Sequence, residues 1–332
     1  MDNRKLINEA KSSALAGKML DRESIIALLS IDPETEDGEL LGQAAREVAS
    51  VVCKDRAYLW AAIGLDYRAC PMDCGFCSLG ESWGFVQDEV EYSEEEIMTR
   101  VKKFVDDRVR WIVLRTTQFY DLNKLIALGR KIKSTVAGDY ELGVNVGEFD
   151  EEIAHRMVEA GFEFVYHSVR LREGTDTKFD PDERKATMNA VKNSPLKLVS
   201  LVEPIGVEHN GQEIADTFLT AMKYNAVVTG GMERVPVKGT PLGDFPAISE
   251  KRLAQIVAVT RLAAGFHAPD ICVHRGSELA MKWGANVTVV ETGAIPRDSC
   301  CSSQKEWNGF DASKATEWFQ RQGYQVCIRD ED

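Results

Sequence analysis

Three cysteines, Cys70, Cys74 and Cys77, lie within eight residues and are spaced C-x3-C-x2-C. Cysteine thiolates are the usual protein ligands of iron–sulfur clusters, and three on one short loop can bind three irons of a [4Fe–4S] cube. The fourth iron then has no protein ligand and stays open to a substrate or cofactor. Gly75 and Phe76 suit a loop that wraps tightly around such a cluster. The spacing therefore predicts an iron–sulfur site with one open coordination position.

Zinc and disulfide chemistry are the alternatives for these cysteines. A structural zinc site usually takes four protein ligands, often as two C-x2-C pairs, so a fourth ligand would have to come from elsewhere in the chain. Disulfides are not expected in a chain whose amino terminus carries no hydrophobic targeting segment. The open cluster is the interpretation that the spacing favours, and zinc stays an alternative.

Composition narrows the class of protein. The chain has 332 residues, a formal net charge of −13 and no stripe dense in Lys or Arg, which argues against a nucleic-acid partner. No run of about 18 apolar residues indicates a membrane span. Eight cysteines without a targeting segment indicate a reducing compartment. We therefore expect a cytoplasmic protein with no membrane partner.

Helices and strands alternate along most of the chain, and they must position the cysteine loop. Residues 1–52 predict a helical extension, broken near Asp32-Pro33. The apolar run 58–63 is a first strand that leads directly into the cysteine loop. The strands predicted after it are 111–114, 141–146, 162–167, 197–202, 226–229 continuing through 232–237, 270–274 and 286–291. Helices are predicted at 93–107, 121–136, 150–160, 182–193, 211–224, 249–264, 277–283 and 312–320.

This order predicts an α/β fold of the (β/α)8 TIM-barrel type. Strands separated by helices pair in parallel through right-handed crossovers, and eight such units close most economically into a barrel. Barrel active sites lie where the carboxyl ends of the strands meet the loops, which is where the cysteine loop would lie. We expect the barrel over 53–301, the N-terminal helices over 1–52 and a helical C-terminal tail over 302–332, in one domain.

Four segments resemble the radical S-adenosylmethionine (SAM) superfamily, in its biotin synthase-related branch. They are 70–79, 164–168, 234–242 and 284–286, and the similarity covers roughly residues 50–300. The branch includes biotin synthase, methylornithine synthase, the [FeFe]-hydrogenase radical maturase and the two-protein lipoyl synthases. The resemblance implies two cofactors, a [4Fe–4S] cluster and SAM. In the family, the open iron chelates the amino and carboxylate groups of SAM, which is cleaved reductively to a 5′-deoxyadenosyl radical.

The resemblance also implies which strand ends bind SAM. Residues at the end of the second strand lie near the SAM amino group, the fourth strand contacts the ribose and methionyl part, and the fifth and sixth contact adenine. The positions so implied are Thr116, Thr117, Tyr166, His167, Ser168, Arg172, Ile205, Gly206, Val237, Lys238 and Gly239. Several have ordinary alternatives: a polar loop for the threonines, a core histidine for His167 and a turn for Gly239.

Arg170 and Glu203 are the predicted catalytic residues. A guanidinium group suits a carboxylate of SAM or substrate, although an exposed salt bridge is the alternative for Arg170 and Arg172. Glu203 falls on the fifth strand, where a carboxylate is costly to bury without a partner. We therefore expect an arginine or a substrate group beside Glu203.

The chain departs from biotin synthase at its second cluster. That enzyme supplies a sulfur-donating cluster from cysteines on strands two, three and five, and none of the corresponding stretches here contains cysteine. Cys272, Cys300 and Cys301 instead fall near the ends of strands seven and eight, where they could hold an auxiliary [4Fe–4S] cluster. The alternative for Cys272 is a buried apolar residue, and Cys53 and Cys327 are expected to lie apart.

Three functions follow from these alternatives. Sulfur insertion of the lipoyl synthase type is the first prediction; it requires the auxiliary cluster and implies a paralogous partner subunit and a lipoyl carrier protein. Carbon-skeleton rearrangement, as in methylornithine synthase, or maturase-like assembly of a metallocofactor ligand requires one cluster only. An iron–sulfur scaffold or redox sensor is the non-enzymatic alternative. For either enzymatic reaction, ferredoxin or flavodoxin is the expected electron donor.

Overall fold

Eight parallel strands close into a barrel. A computed structural model describes residues 2–290 and 309–329. Its strands are β1 (Arg56–Gly64), β2 (Asp66–Tyr67), β3 (Val90–Glu91), β4 (Trp111–Arg115), β5 (Glu141–Asn145), β6 (Phe164–Tyr166), β7 (Lys197–Val199), β8 (Val202–Ile205), β9 (Ala226–Glu233), β10 (Asp270–His274), β11 (Val287–Val290) and β12 (Gln325–Val326). The ring runs β1-β4-β5-β6-β7-β9-β10-β11 and closes from β11 back to β1, with every pairing parallel. The predicted (β/α)8 barrel is confirmed.

Helices form the outer layer. They are α1 (Asn3–Leu15), α2 (Arg22–Leu29), α3 (Glu36–Val52), α4 (Glu94–Asp106), α5 (Leu122–Thr135), α6 (Glu151–Glu159), α7 (Pro181–Lys192), α8 (Gly211–Lys223), α9 (Glu250–Ala264), α10 (Glu278–Lys282) and α11 (Ala312–Arg321). Most begin at an Asp, Asn or Ser whose side chain accepts a backbone N–H of the first turn. The capping box of Ser93 and Glu96, expected from the sequence, is present. None of the helices within 2–290 or 309–329 is long and apolar enough to cross a membrane.

The barrel interior is packed rather than hollow. Because side chains alternate along a strand, Trp60 and Val113 face inward while Leu59 and Ile112 face the helices. Close approach between neighbouring strands is required at Gly230, which has φ of +140° and whose added Cβ would lie 1.9 Å from the Cys272 carbonyl oxygen. The interior is thus filled by side chains up to the carboxyl ends of the strands.

The N-terminal helices pack on one side of the barrel. Helices α1 to α3 share an apolar cluster with α8, α9 and α10. Gly42 of α3 lies against the Trp283 ring, where an added Cβ would come within 2.4 Å of a ring carbon. Arg261 of α9 is fully buried and donates to the Gly284 and Pro269 carbonyls and to Asn286. The predicted extension is therefore continuous with the barrel packing.

The C-terminal tail returns to the start of the first strand. β12 pairs in parallel with β1, with Gln325 opposite Arg56 and Val326 opposite Ala57. Phe319 and Tyr324 of the tail are buried in the same cluster as Leu59 and Ala61 of β1. This contact closes the end of the barrel opposite the predicted active site.

Three local features differ from the sequence expectation. The stretch 226–237 is not two strand segments: β9 runs unbroken to Glu233, and 234–237 forms a loop. The predicted strand 197–202 is shorter, since β7 ends at Val199 and a separate β8 pairs with β9 after a change of register. A small antiparallel pair, β2 with β3, brackets the cysteine loop and has too little length to be recognised from periodicity.

Candidate active site

A cavity opens at the carboxyl ends of the barrel strands. Its lining includes the last residues of β4, β5, β6, β9 and β10 together with the loop that follows β1. Eight predicted site residues line it: Cys70, Cys74, Cys77, Thr116, Thr117, Tyr166, Arg170 and Glu203. The structure thus brings the three cysteines and both predicted catalytic residues to one cavity, at the barrel end where this fold places its active sites.

The cysteine loop is folded by its own backbone. The Cys77 N–H donates to the Cys74 carbonyl at 2.9 Å, and the Cys70 N–H donates to the Leu79 carbonyl at 2.7 Å. Asp73, between the first two cysteines, has φ of +43°, a left-handed conformation that aspartate tolerates better than most residues. The loop therefore turns tightly enough to present all three thiols to the same cavity.

The donor set fits a [4Fe–4S] cluster. Burial raises the pKa of the Cys74 thiol, and the neighbouring Cys77 and Cys70 thiols raise it further, while Arg170 acts in the opposite direction. Binding of a cluster would release the protons of these three thiols to solvent, because a metal-bound thiol is deprotonated. The residues that line the cavity include no fourth cysteine that could bind the remaining iron of the cluster. Cys70, Cys74 and Cys77 would hold the cluster.

Arg170, Glu203 and Tyr166 form a buried polar group in the cavity wall. Arg170 Nε lies 3.7 Å from Glu203 Oε1, and the Tyr166 hydroxyl donates a hydrogen bond to Glu203 Oε2. Burial, with the adjacent Glu203, raises the pKa of Tyr166, so the phenol keeps its proton. Burial lowers the pKa of Arg170, but Glu173 and Glu203 outweigh that effect and raise it, so the guanidinium stays charged. The arginine partner expected for Glu203 is therefore present.

Two further charged residues extend this group and were missed by sequence reasoning. Glu173 lies 3.5 Å from both Arg170 and Arg184, and its side chain is 1 % exposed. Arg184, on α7, also lines the cavity and donates to the Ser168 carbonyl. The sequence did contain one signal for Arg184. It precedes the apolar Met188 by four residues, which places both on the same, buried face of α7.

The threonines at the end of β4 are held by Asp66, another residue that the sequence did not single out. Thr117 donates its backbone N–H to Asp66 at 2.7 Å and its hydroxyl to the same carboxylate. Asp66 is buried and also forms an ion pair with Arg68 at 3.0 Å. Thr116 donates its hydroxyl to the Thr117 carbonyl at 2.9 Å. Both threonines line the cavity in a fixed arrangement, and their predicted contact with SAM stays a prediction.

Three predicted residues on or after β6 lie away from the cavity. Because side chains alternate along the strand, Tyr166 faces the barrel interior and His167 does not; His167 is 1 % exposed and its burial lowers its pKa. Ser168 is equally buried and accepts the Leu201 N–H at 3.2 Å. Arg172 pairs with Glu213 at 2.6 Å and so ties the loop to α8. These contacts are internal to the protein, the three residues are not among those that line the cavity, and their SAM contacts stay predictions.

The five residues predicted to bind adenine are not among the residues that line this cavity, although Arg234 and Val235, at the start of the second predicted stretch, are. Ile205 packs in the apolar cluster against α8 and α9, and the Gly206 N–H donates to His209 Nδ1 at 2.9 Å. Val237 and Gly239 belong to a turn in which the Thr240 N–H donates to the Val237 carbonyl at 3.1 Å. Lys238 lies between them. The turn expected as the alternative for Gly239 is present, and the adenine contacts stay predictions.

The cysteines proposed for an auxiliary cluster divide into two cases. Cys272 on β10 is fully buried among the barrel-interior residues and does not line the cavity, and burial raises the pKa of its thiol. Cys300 and Cys301 lie outside the described residues. Cys272 therefore occupies the position of the buried apolar residue that was its alternative.

A second group of potential metal ligands, Asp176, Glu208 and His209, does not suit a cation. The Glu208 carboxylate is engaged by both terminal nitrogens of Arg234. Because His209 Nδ1 accepts the Gly206 N–H, the proton of the neutral ring is on Nε2, which then has no lone pair for a metal. The group is better described as an ion-pair network around Arg234, which itself lines the cavity.

Comparison with known proteins places this site in a family. The family model for the radical SAM superfamily matches residues 65–221, which include the three cysteines, Arg170 and Glu203. With the cavity and the cysteine loop at the ends of the barrel strands, this match defines the class: residues 65–221 form a radical SAM superfamily domain.

The relatives narrow the class to the biotin synthase-related branch. The chain is 23 % identical over 277 residues to the biotin synthase of Sulfurihydrogenibium sp. (strain YO3AOP1), covering 77 % of this chain and 78 % of that protein. It is 24 % identical over 263 residues to the biotin synthase of Parafrankia sp. (strain EAN1pec), covering 74 % and 69 %.

Two solved structures share the fold along nearly the whole chain. Methylornithine synthase (PylB) superposes with a TM-score of 0.79 at 18 % identity, covering 96 % of this chain and 97 % of that one. HydG, a maturase of the [FeFe]-hydrogenase, superposes with a TM-score of 0.80 at 15 % identity, covering 98 % and 76 %. The sequence prediction of the superfamily and branch is confirmed, and membership implies a [4Fe–4S] cluster and SAM as cofactors.

Proposed function

We propose that this radical SAM enzyme uses a single [4Fe–4S] cluster to abstract hydrogen from a small polar substrate bound in the barrel cavity. The observation that carries the proposal is that the three cysteine thiols and the Arg170–Glu203–Tyr166 group line one cavity. In the superfamily, the cluster and SAM together supply the 5′-deoxyadenosyl radical. Methylornithine synthase and a maturase of the [FeFe]-hydrogenase share this fold, and the single-cluster reactions expected from the sequence are the ones that we propose.

The charged residues of the wall would bind and orient polar groups of SAM or substrate. The guanidinium of Arg170 suits a carboxylate, and Glu203, which already accepts from Tyr166, suits a donor such as an ammonium or hydroxyl group. The cavity lining contains five arginines and two glutamates, although the whole chain carries a net charge of −13. Glu148, Glu173 and Glu208 pair with three of these arginines, so what the wall offers a substrate carboxylate is guanidinium hydrogen-bond donors rather than a large net positive charge.

The apolar part of the lining would keep water away from the reacting carbon. Trp60, Val113 and Leu201 lie in the barrel interior and also line the cavity, so its floor is apolar while its wall is charged. A fixed geometry without water favours hydrogen transfer within the site over side reactions of a radical. The barrel thus supplies positioning and exclusion of solvent.

Formation of 5′-deoxyadenosine tests this proposal. Protein reconstituted anaerobically with iron and sulfide, then mixed with SAM and dithionite, should form 5′-deoxyadenosine and contain about four irons per chain. The reduced cluster should also show a change in its electron paramagnetic resonance (EPR) spectrum when SAM is added. A cluster that forms but neither responds to SAM nor yields 5′-deoxyadenosine would contradict the proposal and favour the scaffold or redox-sensor alternative.

Sulfur insertion of the lipoyl synthase type is the second candidate, because the relatives of this chain are biotin synthases. It would require an auxiliary [4Fe–4S] cluster near the first, with Cys300 and Cys301 as its proposed ligands and a lipoyl carrier protein and paralogous subunit as partners. It would raise the iron content to about eight per chain, and a C300A/C301A double variant would lose about half of it. About four irons in both proteins would contradict this candidate.

Either reaction needs an external electron. We propose a cytoplasmic ferredoxin or flavodoxin as the donor, since both carry single electrons at low potential. Replacing dithionite with each reduced donor in the 5′-deoxyadenosine assay tests this choice. If neither reduced ferredoxin nor reduced flavodoxin supports 5′-deoxyadenosine formation, the proposed donor is wrong.

A further inference from the structure

The cysteine loop is held by a second loop of the barrel. Residues 170–179, which follow β6, meet the cysteine loop through two backbone hydrogen bonds: the Gly75 N–H donates to the Asp176 carbonyl at 2.8 Å, and the Lys178 N–H donates to the Met72 carbonyl at 3.1 Å. The same segment begins with Arg170 in the cavity wall. The loop that carries the cysteines is therefore supported by the loop that carries a predicted catalytic residue.

One side chain of the cysteine loop faces this support. The Asp73 carboxylate is 7 % exposed and accepts from Lys178 Nζ at 2.5 Å. It also accepts from the Ser82 N–H at 3.0 Å and from the Ser82 hydroxyl at 2.6 Å. Ser82 follows the last cysteine by five residues, so Asp73 joins both ends of the loop to the segment after β6.

We propose that Lys178 is a positioning residue that holds the cysteine loop in its ligand-presenting conformation. Asp73 lies next to Cys74 in the chain, and its left-handed conformation depends on contacts outside the residue itself. The hydrogen bond from Lys178 Nζ to the Asp73 carboxylate is charge-assisted, and it links the side chains of the two loops beside the second cysteine. This inference rests on the proposed cluster site and concerns how tightly the loop retains a cluster.

The expected effect is moderate because the lysine is partly in water. Lys178 is 62 % exposed, and a salt bridge with one exposed partner contributes less than a buried one. Its removal leaves Asp73 with the two Ser82 donors, and the Lys178 backbone hydrogen bond to Met72 is unaffected. We expect a faster loss of cluster rather than a failure to bind it.

Iron release from the reconstituted holoenzyme tests the proposal. Wild type, K178A and K178R are loaded anaerobically, and the rate of iron transfer to a ferrous chelator is followed by absorbance. K178A should release iron about fivefold faster than wild type, as a net loss of one solvent-exposed charge-assisted hydrogen bond implies. K178R, which keeps the positive charge, should restore most of the retention. The EPR signal of the reduced K178A cluster should broaden, as a loop with more than one arrangement would require.

The matched control is K185A. Lys185 lies on the following helix, α7, and its ion pair is with Asp182 of the same helix, at 2.8 Å, rather than with the cysteine loop. It should release iron at the wild-type rate. Equal release from K178A and wild type would overturn the proposal, as would an accelerated K178A that K178R does not rescue. Wild type that takes up no cluster at all would instead overturn the proposed function.

Discussion

The loop after β1 and the strand β10 both carry cysteine, and they treat its sulfur in opposite ways. The loop after β1 exposes three thiols to a cavity and surrounds them with charged residues of the loop after β6. β10 points Cys272 into the barrel interior, among aromatic and aliphatic side chains. The three loop cysteines are half-buried and Cys272 is fully buried, but many half-buried thiols bind nothing, so the degree of burial alone does not identify a ligand.

What distinguishes the two regions is the backbone and the charge around them. A tight loop can direct three side chains to one point, while a strand separates side chains on the same face by two residues and fixes their directions. Arg170 lies close enough to Cys74 to affect its pKa, and its positive charge would stabilise a thiolate. Burial raises the pKa of the Cys272 thiol, and the negative charge of Glu203 raises it further, so a thiolate is disfavoured there.

The largest effect should follow from removing one cysteine of the loop. C74S replaces a soft thiolate by a hydroxyl, which does not ligate iron–sulfur clusters in its place, so the cluster loses one of three protein ligands. We expect bound iron to fall from about four per chain to near zero after reconstitution and gel filtration. A C74S protein with an intact cluster would show that another residue supplies the third ligand.

Next in size should be the loss of the charged layer beside the loop. R184M removes a buried guanidinium that pairs with Glu148 at 3.0 Å and Glu173 at 3.5 Å. Its removal leaves Glu148 without its arginine, Glu173 with Arg170 alone and the buried Ser168 carbonyl without its donor, so we expect a loss of about 3 kcal/mol in the free energy of unfolding. Urea denaturation of the apoprotein measures it. R130M, which removes an exposed pair with Glu159 at 3.9 Å, should cost less than about 1 kcal/mol; equal losses in the two variants would contradict the assignment.

The smallest effect should come from Cys272. C272A removes one sulfur atom from a fully buried site, which we expect to lower the free energy of unfolding by about 1 kcal/mol. The iron content of the reconstituted protein should stay at the wild-type value. An iron content reduced by half would make Cys272 a cluster ligand and would favour sulfur insertion.

The sequence was sufficient for the barrel and for the residues that act through local spacing. Alternating helices and strands predict the order of the ring, and the C-x3-C-x2-C spacing predicts a loop whose thiols converge, because neighbouring residues set that geometry. The capping box at Ser93 and Glu96 is equally local.

The rest depended on contacts between distant parts of the chain. Asp66 and Thr117 are 51 residues apart, and Arg184 meets Glu148 across 36 residues, so no local pattern links them. The inward direction of Tyr166 and the outward direction of His167 follow from the register of β6, and a one-residue shift would exchange them. The resemblance to the family indicates both Tyr166 and His167 as SAM-binding residues, but it does not show which of the two side chains faces the barrel interior.

The pairing of β12 with β1 has a practical consequence for shortened versions of the protein. The boundaries expected from sequence alone, 53–301, would omit Gln325 and Val326 and leave the backbone groups of Arg56 and Ala57 without their partners. An uncovered strand edge is a template for pairing with other molecules, and the pocket left by Phe319 and Tyr324 would expose apolar surface beside it. A version trimmed to residues 53–301 should self-associate, whereas one that retains residues up to 329 should not.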